Sequence, residues 1–238
     1  MTFKKIPATI NDVRNWKHVR IRECGEDLVK VRRTERIETY PIYYFRKIKG
    51  ARQELYLRET VYNKLVFAAK ELPQNYKIAV LDAWRPESLQ RELFNNYVVE
   101  LKKKYPNMTY EEIELMAEKY ISLPSTNHSR PSPHITGGAI DVNLINKYNE
   151  FENMGSKFDD YNTKSKTRYY EAKEERGELT KEEKLFLKNR RILFGLMTNV
   201  GFTNYSEEWW HYDYGNQFWG ALKGKDAIYG ATLPKNGV

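Results

Sequence analysis

Four histidines, His18, His128, His134 and His211, are the imidazoles this chain offers for metal or acid-base chemistry, and two of them have carboxylates at informative spacings. The first stretch reads Ser132-Pro133-His134-Ile135-Thr136-Gly137-Gly138-Ala139-Ile140-Asp141. Glycine reaches backbone conformations closed to other residues, so the glycine pair lets the chain fold back and bring His134 and Asp141 to one point. The second stretch reads Ser206-Glu207-Glu208-Trp209-Trp210-His211-Tyr212-Asp213. In an ideal strand Glu208 and His211 face opposite sides, so both serve one site only if Glu208 lies in a turn ahead of the strand. Asn204-Tyr205-Ser206 is compatible with that turn. Two histidines and one carboxylate make three zinc ligands and leave a fourth position open, as catalysis requires. Cys24 is the sole cysteine, which excludes an internal disulfide and a cysteine-built zinc site.

These residues need elements to position them. Val61, Leu65, Ala68, Ala69 and Leu72 recur at helical spacing from Arg58 to Leu72, and Pro73 stops the pattern. Ile78-Ala79-Val80-Leu81 reads as a buried strand ending at Asp82-Ala83-Trp84-Arg85-Pro86, which places Arg85 at a strand end. Leu89, Leu93, Tyr97 and Leu101 mark an amphipathic helix from Glu87 to Lys103, closed by Pro106. Thr109 with Glu112 forms a capping box for a further helix bearing Ile113, Met116, Ala117 and Tyr120. A Pro/Ser/Asn-rich loop from Leu123 to Pro133 then delivers the chain to His134.

Beyond it, Ile140, Val142 and Leu144 alternate with Asp141 and Asn143, the pattern of a strand with one buried apolar face. Thr180 and Glu183 offer another capping box, before a helix carrying Leu185, Ile192, Leu196 and Val200. Trp209-Trp210-His211-Tyr212 reads as a last strand. The expected class is α+β, with a small antiparallel sheet carrying the metal site and helices flanking it.

At 238 residues the chain suits a single catalytic domain, with residues 1–50 as an N-terminal extension packed on it. Hydrophobic residues at 40% and aromatics at 14% argue against disorder. The net charge of +8 raises the question of a nucleic-acid partner. Residues 1–60 hold 15 Lys/Arg against 8 Asp/Glu, but these alternate with acids and aromatics and lack any RNA-binding or zinc-finger signature, which reads as a solvated basic face. No apolar run reaches membrane-spanning length and no export signal is visible, so the expectation is a cytoplasmic protein, periplasmic or secreted if a signal has been removed. Neither nucleic acid nor membrane is expected as a partner, and the sequence leaves oligomeric state open.

Ser-x-His-x-x-Gly-x-Ala-x-Asp followed by Glu-x-x-His resembles the D-alanyl-D-alanine dipeptidases of the vancomycin-resistance type, within a wider family of zinc D,D-peptidases. The resemblance also takes in Asp82-Ala83-Trp84-Arg85-Pro86, Met154-Gly155-Ser156-Lys157-Phe158-Asp159 and Asn189-Arg190-Arg191, in matching order over roughly residues 55–220. It implies one zinc per chain on His134, Asp141 and His211, with Glu208 as general base and Arg85 beside the scissile carbonyl. It also implies substrate contacts at Ser132, Asp159 and Trp209, with Asp159 holding the free amino group of a short D,D-dipeptide. The family usually has Tyr where Trp84 stands, a departure that leaves the arginine intact.

Each residue also has a plainer reading. His134 serves as an ordinary loop histidine, Asp141 as an acceptor near the glycine turn, Arg85 as a surface partner of Asp82 or Glu87, and the tryptophan pair as core packing. His18 and His128 read as solvated. Among functions, a D,D- or L,D-carboxypeptidase trimming peptidoglycan stem peptides is the alternative within hydrolases. A metal-containing module without catalysis is the alternative outside them, against which the presence of Glu208 and Arg85 counts.

Overall fold

The computed structural model describes residues 4–8, 13, 15–118, 120–125, 127 and 129–234. In chain order come β1 (Leu28–Lys30), β2 (Ile37–Thr39), α1 (Ile42–Phe45), β3 (Tyr56–Arg58), α2 (Glu59–Glu71), β4 (Tyr76–Asp82), α3 (Glu87–Lys104) and α4 (Tyr110–Glu118). They are followed by β5 (Ala139–Asn146), α5 (Tyr169–Glu175), α6 (Lys181–Asn199), β6 (Thr203–Asn204), β7 (His211–Asp213) and α7 (Gln217–Lys223).

The sheet follows from alternation. Val80 stands opposite Val142 and Ile78 opposite Leu144 across β4 and β5, which gives one continuous apolar face. That face joins the core with Val61, Leu65, Ala68 and Ala69 of α2 and Ile192, Leu193, Leu196 and Met197 of α6. Strand order is β2-β4-β5-β7-β6, antiparallel except at the β2–β4 pair. The architecture is thus α+β as expected, with a parallel edge strand the sequence did not announce. Both faces of β5 are covered, so Asp141 and Asn143 are buried as well as the apolar residues.

Residues 15–50 are more than an extension laid on the domain. β1 pairs with β3, β2 is an edge of the main sheet, and Ile21 bridges to Ala227. α3 and α4 form a separate apolar cluster of Phe94, Val98, Leu101, Ile113, Ala117 and Ile121. The buried stripe of α3 therefore runs through Phe94 and Val98, while Leu93 and Tyr97 lie on its margin. Both capping boxes form, with Thr109 and Thr180 each accepting from the amide three residues on and the paired glutamate returning the bond. Leu185 points outward and is exposed, whereas Phe186 and Leu187 take the inner face of α6.

Candidate metal centre and active site

His134 lies in a 3₁₀ turn, Pro133–Thr136, that ends at Gly137 with φ +70°. A side chain there would be strained by that backbone and would drive its Cβ to 2.3 Å from Leu28 Cδ2, so the glycine is required. Arg58, buried, holds the turn by donating to the Thr136 carbonyl at 2.8 Å. The Trp84 indole donates to the Ile135 carbonyl at 3.1 Å and so props the histidine turn. β5 then carries Asp141 into register opposite His211 of β7. Glu208 precedes that strand in a turn whose carbonyls, at Glu208 and His211, both accept from the Asn204 amide. The turn needed to bring Glu208 and His211 together is present, and β7 begins only at His211.

His134 Nε2, His211 Nδ1 and the Asp141 carboxylate converge. His134 Nε2 to His211 Nδ1 is 3.2 Å, His211 Nδ1 to Asp141 Oδ1 is 3.1 Å, and His134 Nε2 to Asp141 Oδ2 is 3.5 Å. Ligand atoms at ~2.0–2.1 Å from a tetrahedral zinc lie about 3.3–3.4 Å apart, so the three fit one such ion. The far nitrogens are committed outward: His134 Nδ1 contacts the Ala83 carbonyl at 2.7 Å and His211 Nε2 contacts Asp213 Oδ1 at 3.1 Å. Such outer partners fix the tautomer and leave the inner nitrogens free to bind a metal. Burial opposes the charge on both Asp141 and His211, yet His134 and His211 hold Asp141 far below the usual carboxylate range, while Asp213 and Asp141 hold His211 well above the usual imidazole range.

Arg85 is buried beside this triad. Its Nε donates to Asp82 Oδ2 at 2.8 Å, its Nη1 to Gln90 Oε1 at 2.8 Å, and its Nη2 lies 3.6 Å from Asp141 Oδ2. The Asp82 pairing anticipated for a surface arginine exists, but inside the protein. Asp82 reaches this place through a β-bulge between Val80 and Asp82, which pairs it with Asp141 and turns its carboxylate to the polar face. Glu208 Oε2 stands 4.0 Å from His211 Nδ1. Burial pushes the Glu208 carboxyl up to about 8, opposed by His211 and Arg85 and reinforced by Asp141 and Asp159.

A cleft of about 850 Å³ opens over these groups, lined among others by Tyr43, Arg85, His134, Asp141, Asp159, Tyr161, Glu208, Trp210 and His211. Asp159 is on its wall at a left-handed backbone, φ +62°, with Oδ1 accepting from the Tyr43 and Tyr161 hydroxyls at 3.0 Å each. Ser132 is buried just ahead of Pro133 and is not among the lining residues. Trp209 does not reach the cleft either. The two tryptophans lie in the turn, not in a strand, with rings 89° apart; Trp210 faces the cleft while the Trp209 indole donates to Ser156 Oγ at 2.9 Å in a neighbouring groove. His18 is exposed, and His128 lies outside the described residues.

Sequence reasoning missed Tyr43, Asp82, Gln90, Tyr161 and Asp213 as members of the site. Asp213 had a signal, since a residue two beyond His211 on a strand shares its face. Tyr43 had none, being 116 residues from the carboxylate it contacts.

Residues 46–227 match the peptidase M15 family, described as D-ala-D-ala dipeptidase. The chain is 25% identical over 212 residues to a D-alanyl-D-alanine dipeptidase of Synechocystis sp., covering 84% of this chain and 86% of that one. It is 34% identical over 156 residues to a D-alanyl-D-alanine dipeptidase of Enterococcus faecium, covering 60% of this chain and 66% of the relative. Among solved structures, a mutant of the vancomycin resistance D,D-pentapeptidase VanY in complex with Zn(II) aligns at a TM-score of 0.38 and 17% identity, over 75% of this chain and 85% of that one.

Proposed function

Because the chain belongs to the D-alanyl-D-alanine dipeptidase family, we propose that it is a zinc hydrolase of D-alanyl-D-alanine or similar short D,D-dipeptides, with one zinc on His134, Asp141 and His211. The convergence of these three side chains beside Glu208 carries the reading. When bound, zinc supplies Lewis acidity, polarising the amide carbonyl and lowering the pKa of water toward about 7.

Glu208 takes the proton of the attacking water and delivers it to the leaving amine, the task its place beside His211 suits. Arg85, fixed by Asp82 and Gln90, faces the charge that develops on the carbonyl oxygen. Asp159 receives the substrate's ammonium. Steady-state turnover of D-alanyl-D-alanine by the zinc-loaded protein, beside a pentapeptide ending in the same pair, tests this. Failure on the dipeptide with turnover of the pentapeptide would replace the reading by a D,D-carboxypeptidase, which the size of the cleft favours as the second reading.

A further inference from the structure

A dipeptide carries its free ammonium beside the scissile bond, and among the cleft's carboxylates, which include Glu118, Glu207 and Glu208, Asp159 is the one the dipeptidase reading assigns to it. That carboxylate does not stand alone. Arg46, the residue that closes α1, brings its Nη1 to 2.5 Å from Asp159 Oδ2. The two side chains occupy different surroundings. Asp159 borders the cleft, while Arg46 borders the neighbouring groove formed by Ile42, Met154, Phe158 and Trp209. The Asp159 side chain is 15% exposed and that of Arg46 42%, so the guanidinium approaches from the solvated outer side. It is steadied there against the Phe158 ring, 5.5 Å from its centroid.

We propose that Arg46 is a positioning residue for the substrate's ammonium: gripping Asp159 Oδ2 from outside the cleft, it keeps the carboxylate aimed inward and charged without entering the ammonium's place. The proposal rests on the dipeptidase reading above. The groups around Asp159 make the need for such a cation clear. Tyr43, also on α1, and Tyr161 donate to Oδ1; Arg85, beyond β4, lends positive charge; Asp141 of β5 and Glu208 ahead of β7 repel. Burial pushes the Asp159 carboxyl up to about 6 even with Arg46 in place. Removing Arg46, which approaches from solvent, must move it further up, toward the neutral form that cannot pair with an ammonium.

The test compares binding of D-alanyl-D-alanine and its N-acetylated form to zinc-loaded Glu208→Gln protein by calorimetry from pH 5 to 8, with and without Arg46→Ala or Arg46→Lys. The ratio of the two affinities cancels ionisations at the metal centre. In the parent the preference for the free dipeptide should grow as pH rises through the range in which the Asp159 carboxyl ionises. Arg46→Ala should weaken the free dipeptide about tenfold at pH 7 while sparing the acetylated one, and should shift the rise to higher pH. Arg46→Lys, keeping the charge, should restore most of both. Tighter binding of the free dipeptide in Arg46→Ala would mean that Arg46 competes with the ammonium, and would overturn the proposal. Equal losses for both ligands, or no preference for the free dipeptide in the parent, would overturn it as well. Failure of wild-type protein to hydrolyse D-alanyl-D-alanine sinks the reaction assigned above, whereas these binding ratios decide the role of Arg46 separately.

Discussion

The two walls of the cleft are built on different principles. The metal wall is a product of strand register: Asp141 and His211 are paired across β5 and β7, and Asp82 is set beside them by a bulge. The opposite wall is a loop. Asp159 sits there in a left-handed conformation, and the segment around it is tied down by α6, whose Arg190 donates to the carbonyls of Met154, Lys164 and Lys166. Asn189 adds a bond to the Asn153 carbonyl. The division suits the chemistry. A metal needs three atoms at fixed separations, which hydrogen-bonded strands hold well, whereas an ammonium needs one well-aimed carboxylate, which a clipped loop supplies.

The comparison breaks most sharply at the metal wall. His134→Ala should abolish stoichiometric zinc and turnover together, read by metal analysis of the folded protein; full zinc content would show that the trio is not the ligand set. Glu208→Gln should keep zinc but lower kcat by roughly 10²–10⁴-fold, the usual loss with a general base. Loss of zinc in that variant would make Glu208 a ligand. Asp213→Asn removes the charged acceptor behind His211 and should weaken zinc about 10–100-fold in competition with a chelator.

The loop wall should respond in another currency. Arg190→Met leaves one buried and two half-buried carbonyls without their donor, so it should lower unfolding stability by about 2 kcal/mol in denaturant titrations while leaving zinc stoichiometric. If zinc fell in step with stability, the two walls would be one cooperative unit and the contrast drawn above would fail.

The walls also differ in how far the sequence reveals them. His134 and Asp141 are separated by a short glycine turn, and Glu208 and His211 by one turn of chain, so residue types and spacing point toward the cluster that His134, Asp141 and His211 form. Capping boxes at Thr109 and Thr180 are equally local, and both form. What escapes is set by distant contacts or by backbone irregularity. The bulge that turns Asp82 toward Asp141 leaves no mark in the hydrophobic pattern. Trp209 and Trp210 read as strand residues, yet the start of β7 at His211 sends the first of them to the wrong side for substrate contact. Arg46 and Asp159 meet across 113 residues, and only folding brings α1 to that loop.

The finest probe of the loop wall is its pair of tyrosines. Tyr43 and Tyr161 donate to the same oxygen of Asp159, and burial with the adjacent carboxylate pushes both phenols well above the usual tyrosine range, so they remain donors. Either alone can keep Oδ1 satisfied. Tyr161→Phe retains the ring that packs against Tyr97 and Trp210 and removes only the hydroxyl. It should therefore raise KM for the free dipeptide by no more than about threefold, the low end of the roughly 0.5–1.5 kcal/mol of an ordinary hydrogen bond, with kcat and zinc unchanged. Tyr43→Phe should behave alike. The double variant should lose more than the product of the two, because the second removal leaves Oδ1 of a buried carboxylate without either hydroxyl donor. A multiplicative result would show that the hydroxyls act independently, and that Arg46 alone sets the aim of Asp159.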